Sequence, residues 1–178
     1  MILIIGLGNP LWGDHGVGKV VVDRVVQNFP QGKAETGEDI TAIARYQLSP
    51  ELTVSIRSAD KVIFVNTEIS FTTGKIICRP LLEPPQPKPY SHDLSPAALL
   101  EGARVLYGKS PQATLVSLTS SHVDYRNSLS RAALSALPEL LSLVYGLIDV
   151  EQAGNYVNRR YENVSGGDFV GAGTGRIA

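Results

Sequence analysis

The chain has 178 residues, 43% of them hydrophobic, and a formal charge of −1 from 16 basic and 17 acidic side chains. That length supports one domain with a sizeable core. The near-neutral balance, with no dense Lys/Arg run, argues against nucleic acid or an anionic membrane as partner. Cys78 is the only cysteine, which excludes an intrachain disulfide and a cysteine-rich metal cluster. Met1 runs straight into ILIIG without a basic segment or cleavage site, and the apolar runs are shorter than a bilayer, so the expectation is a cytoplasmic protein.

In chain order, ILII (2–5) reads as a strand covered on both faces, closed by Gly6 and Gly8. A helix is predicted to start near Asp14 to Gly16, because Val17, Val20, Val21 and Val25 recur at helical spacing. Its valines lower helix propensity, so packing must hold it. Residues 33–38 suggest a short strand and turn. Ser49 and Pro50 suggest a cap and first helical position for a helix running to about Ser58.

KVIFVNT (61–67) is the next apolar strand, with Asn66 at its carboxyl end, and GKIICRP (74–80) reads as a strand nearer an edge. The segment EPPQPKP (83–89) suits neither helix nor central strand, because proline fixes φ and removes donors; it leads to His92. A helix over 94–108 with Ser95 as cap, a strand over 113–119 and a long amphipathic helix over 130–150, bent or restarted at Pro138, complete the pattern. The alternation, with about five strands and four helices, predicts one three-layer α/β domain over 1–150. The glycine-rich 151–178 reads as a mobile extension or, equally, as a segment that docks on the domain.

GLGNPLWGDHG (6–16) is the segment with chemistry to explain. As a dinucleotide fingerprint it is poor, because the third glycine falls on Leu11 and Pro10 and Trp12 make the turn bulky; no phosphate-loop pattern occurs elsewhere. Strand ends in open α/β sheets carry the ligands, and the polar residues there are Asp14, His15, Asn66 and His92. Two imidazoles and an oxygen donor suit a borderline divalent metal such as zinc or nickel, while a lone histidine at a helix start equally serves as a cap. Cys78 inside a strand reads as a small buried hydrophobe, and no nucleophile–base arrangement or H-E-x-x-H pattern is present.

Taken together, GLGNPLWGDHGVG (6–18), YQLSPEL (46–52), ADKVIFVNTE (59–68), SHDLSPAALLEGARVLYG (91–108) and SLSRAALSALPELL (128–141) resemble the endopeptidases that mature the large subunit of nickel–iron hydrogenases. The QLSPEL and LSPAALL segments are most similar to the branch serving cyanobacterial-type bidirectional hydrogenases. The resemblance implies a twisted, mostly parallel sheet with helices on both faces, and removal of a C-terminal peptide from a precursor that already holds nickel. The metal is carried by the precursor, and no nucleotide is needed. It implies a protein that is a monomer when free, with the precursor as partner.

The candidate catalytic set is then Asp14, His15, Asn66 and His92, with His15, Asn66 and His92 meeting the metal. The family has acids where His15 and Asn66 stand, so two negative charges are missing from a site that meets a cation; Asn66 offers only a neutral carbonyl oxygen. Asp14 has a second reading as a support of the turn. Glu38, Tyr46, Gln47 and His122 are candidate substrate contacts, His122 also reading as a solvated loop residue. A non-cleaving binder of the precursor and a nucleotide-binding α/β protein are the alternatives.

Overall fold

Three strongly apolar strands form the middle of the sheet. The computed structural model describes residues 1–81, 94–109, 111–121 and 124–149. Its strands are β1 (Ile2–Leu7), β2 (Ile40–Arg45), β3 (Lys61–Ile69), β4 (Ile76–Pro80) and β5 (Gln112–Ser120), in the spatial order β2-β1-β3-β5-β4. β1, β3 and β5 are parallel neighbours at the centre, and β2 joins β1 in parallel. β4 runs antiparallel on the far edge. The connection from β3 is too short for a crossover, so β4 must start at the end where β3 stops.

The helices are α1 (Val17–Asn28), α2 (Leu52–Ile56), α3 (Pro96–Tyr107) and α4 (Arg131–Ile148). Strand alternation divides the core in two. Ile2, Ile4, Ile63, Val65, Val116 and Leu118 face α1 and α4, while Leu3, Ile5, Val62, Phe64 and Leu115 face α2 and α3. Each fully buried aliphatic side chain contributes about 1.5–3 kcal/mol, which holds the valine-rich α1 despite its weak propensity. α4 is long and apolar enough by composition to cross a membrane, yet Leu137, Leu140 and Val144 bury one face of it against the sheet.

The helix caps follow local chemistry. Ser95 Oγ accepts the Ala98 N–H at 3.1 Å with Pro96 at the first helical position, and Gly108 closes α3 in the left-handed region at φ 66°. Ser130 Oγ caps α4 by accepting the Ala133 N–H at 3.1 Å.

Three expectations change. The early strand is Ile40–Arg45, not 33–38; those earlier residues form a turn in which Ala34 N–H bonds Glu38 O at 2.9 Å. β-branched Ile40, Thr41 and Ile43 gain by pairing with β1. The second helix is only Leu52–Ile56, with the Ser49 and Pro50 carbonyls closing the turn before it. α4 does not restart at Pro138 but runs on through it, forfeiting one helical hydrogen bond while buried neighbours keep the helix in place. The proline-rich 83–89 and the 151–178 extension lie outside the described residues.

Candidate functional site

From β1 the chain passes to β2 on one side and then to β3 on the other, so the strand order reverses between β1 and β3. In open α/β sheets the crevice beyond the carboxyl ends at such a point is where ligands bind. The glycine turn sits there. A Cβ on Gly8, whose φ is +123°, would lie 1.7 Å from the His15 carbonyl oxygen; one on Gly16 would lie 2.6 Å from Pro10 Cα. Gly6 and Gly18 likewise let β1 and α1 touch, the Gly6 position lying 2.1 Å from the Gly18 oxygen. The room made by these glycines is filled by the chain itself, so a short 3-10 turn, Gly13–Gly16, lies flat on the end of β1.

Asp14 anchors that turn. Its side chain is 2% exposed, and its carboxylate accepts three hydrogen bonds. Ser120 Oγ at the end of β5 donates to Oδ2 at 2.9 Å, Ser130 Oγ to Oδ2 at 2.8 Å, and the Ser130 N–H to Oδ1 at 2.6 Å. Its main-chain carbonyl accepts Thr67 Oγ1 from β3 at 2.6 Å. Charge-assisted bonds of this kind are roughly twice as strong as neutral ones. One residue thus ties the ends of β3 and β5 and the start of α4 to the turn after β1.

His15 follows on the same turn, half-buried. Its imidazole lies over Gly8, with Cγ 3.5 Å from the place of the missing Cβ, and Nδ1 accepts the Asn9 N–H at 3.0 Å. Asn9 Oδ1 in turn accepts the Leu11 N–H at 3.0 Å, the side-chain turn that asparagine makes readily. Asn66 is one residue beyond the Gly6–Val65 pair of β1 and β3, where its Oδ1 accepts the buried Ser117 hydroxyl at 2.6 Å. The structure therefore brings Asp14, His15 and Asn66 to adjoining strand ends. His92 and His122 lie outside the described residues.

The other candidates divide. Tyr46, 70% exposed, lines a groove of about 270 Å³ with Gly8, Lys19, Ala44 and Arg45, on the β2 side of the turn. Gln47 beside it is exposed. Glu38 is at the opposite, amino end of the sheet, close enough to Lys61 to oppose the downward pull of burial on that ammonium. It is not brought together with His15 and Asn66. Trp12 is 44% exposed and meets Tyr125 edge-on at 6.1 Å, while Gly13 N–H to Arg126 O at 2.8 Å and Arg126 N–H to Leu11 O at 2.9 Å clamp the turn. Cys78 packs half-buried on β4 against the core, as its strand context suggests. Among the described residues no three His, Cys, Asp or Glu side chains are grouped to hold a metal.

This fold has been seen before. The endopeptidase HybD of E. coli, a hydrogenase maturating enzyme, superimposes with a TM-score of 0.62 at 18% identity over 80% of this chain and 88% of its own. HycI, a nickel–iron hydrogenase maturation protease of Thermococcus kodakarensis, gives 0.61 at 19% identity over 83% and 92%. A hydrogenase 2 maturation peptidase from a Thaumarchaeota archaeon gives 0.58 at 19% over 84% and 99%. The fold is that of the hydrogenase maturation proteases. No protein-family profile and no curated protein sequence matches the chain. At these identities the likeness establishes a mostly parallel five-stranded α/β fold.

Sequence reading missed Thr67, Ser117, Ser120 and Ser130 as the partners that fix the site. Ser130 is legible as a helix cap, but nothing local to it points to Asp14, which is 116 residues away.

Proposed function

We propose that this protein is an endopeptidase that removes the C-terminal extension of a nickel-loaded hydrogenase large-subunit precursor. The observation that carries the reading is the placement of His15 and Asn66, from two of the segments that resemble the family, at the strand-order reversal of a fold shared with maturation proteases. The precursor with its nickel is the substrate. It enters the crevice between β1 and β3, where Asp14 holds the turn and His15 and Asn66 present their side chains. Tyr46 and Gln47 flank the β2 side and are the proposed contacts for the precursor surface.

The test is incubation of the nickel-loaded precursor with this chain and with its His15→Asp, Asn66→Asp double replacement. Release of the C-terminal peptide by the chain as it stands is expected. A second reading, a non-cleaving binder of the precursor, is favoured by the neutral side chains at both positions. It takes over if a stable complex forms, the chain yields no product and the double replacement does. Neither binding nor cleavage by either protein overturns both readings.

A further inference from the structure

We propose that the crevice holds acceptor oxygens of a peptide, main-chain carbonyls or a carboxylate, through the Nε2–H of His15 and the side-chain amide of Asn66, and that these two residues do not coordinate a cation. The inference rests on the peptide-substrate reading of this site and assigns the two residues their part in it.

The argument starts behind the imidazole. Nδ1 of His15 accepts the main-chain N–H of Asn9 at 3.0 Å. A neutral imidazole has one donor and one acceptor nitrogen, so the proton sits on Nε2. A metal-ligating histidine has the reverse arrangement: its second nitrogen donates to an oxygen, leaving a lone pair for the ion. Shifting the proton to Nδ1 here would set two N–H groups against each other. Asn9 cannot readily yield, because its carbonyl accepts the Trp12 N–H at 3.1 Å, its side chain accepts the Leu11 N–H at 3.0 Å, and the Trp12 carbonyl accepts the His15 N–H at 3.1 Å. Among the described residues none accepts from Nε2, which leaves that donor for a ligand.

Asn66 is arranged to the same effect by an independent contact. Its one side-chain acceptor, Oδ1, takes the Ser117 hydroxyl at 2.6 Å. Ser117 is fully buried on β5, directly across from Asn66 in the strand register. The NH₂ group of Asn66 is therefore the end left for a ligand, and among the described residues none accepts from it. In both residues the acceptor is occupied by the fold and the donor is left over. The one carboxylate of the turn, Asp14, is buried and already accepts three hydrogen bonds. Donors turned outward, beside a carboxylate already engaged by the fold, suit oxygen lone pairs and oppose a bare cation.

Two measurements on the full chain test this without any precursor. A long-range proton–nitrogen correlation spectrum of the ¹⁵N-labelled protein at about pH 8, where an ordinary histidine is neutral, reports the tautomer of each imidazole, His15 being assigned by its loss in His15→Gln. The Nε2-protonated pattern is expected for His15, unmoved when Ni²⁺ alone is added. An Nδ1-protonated His15, or one selectively shifted by Ni²⁺, overturns the proposal. Calorimetric titration with Ni²⁺ alone then compares the chain with its His15→Asp, Asn66→Asp double replacement. The replacement, checked to be folded, is expected to bind about tenfold tighter or more, since it adds two carboxylates facing the ion. Equal or weaker binding by the folded replacement overturns the proposal. Because these outcomes involve no cleavage, failure here leaves the endopeptidase reading standing, and failure to cleave leaves the donor assignment standing.

Discussion

The two ends of the sheet are held by different chemistry. At the carboxyl end, a buried carboxylate accepts two hydroxyls and a main-chain N–H from segments more than 100 residues away. At the amino end, the charges stand in water: the Met1 amino group and Lys109 both reach Asp60, at 2.9 and 3.0 Å, and Lys33 reaches Asp39 at 2.7 Å. Ion pairs in high dielectric contribute little and are weakened by salt. A buried acceptor with several donors fixes position instead, because each donor left without it is costly. Fixed geometry is therefore concentrated where the candidate site is.

The comparison breaks most visibly at Gly8. Gly8→Ala forces a side chain into a φ of +123° and a Cβ onto the His15 carbonyl. A loss of about 3 kcal/mol or more is expected in urea denaturation, from backbone strain and overpacking together. A variant as stable as the parent would mean that the turn does not lie on β1 as described.

Next in size is Asp14→Ala, which orphans three donors and is expected to cost about 2–3 kcal/mol in the same measurement. Asp14→Asn sharpens the point. Its carbonyl can still accept the Ser130 N–H, and a serine hydroxyl can rotate to accept from its amide, so it should lose clearly less than the alanine variant. Equal losses would show that the negative charge itself, not the hydrogen-bond pattern, holds the turn.

Smallest is the effect at the other end. The hydrogen bond from the Met1 amino group, and then that from Lys109, hold the Asp60 carboxyl down at about 2 instead of its ordinary 3.8. A carboxyl with a depressed folded-state value stabilises the fold above its ordinary value and loses that contribution as pH falls through the folded one. Asp60→Asn should therefore lower neutral-pH stability by the same small amount that the parent loses as pH falls from 3.8 to about 2, and flatten the profile over that interval. A large loss at neutral pH would contradict the contrast between the two ends.

Much of this fold is written in local sequence. The unbroken apolar runs 2–5 of β1 and 62–65 of β3, with the strongly apolar β5, announce central strands, and Ser95-Pro96 with Gly108 marks both limits of α3. That Asn66 would stand at a strand end followed from the same reading, because it comes just as an apolar run gives way to polar residues, while His15 was legible only as part of the loop that follows β1. Hydrophobic periodicity and cap chemistry act within a few residues, so they can be read from the chain.

The tertiary structure decided the rest. ITAIAR (40–45) is too mixed to announce a strand, and only the open edge of β1 makes it one. Glu38 was carried to the far end of the sheet by that pairing. Asp14 became the anchor of the turn through Ser120 and Ser130, and His15 and Asn66 became donors because Asn9 and Ser117 occupy their acceptors. The sequence by itself determined which residues reach the crevice. Only the folded chain decided which of their atoms remain available, because a hydrogen-bonding capacity is divided among whichever partners packing brings within reach.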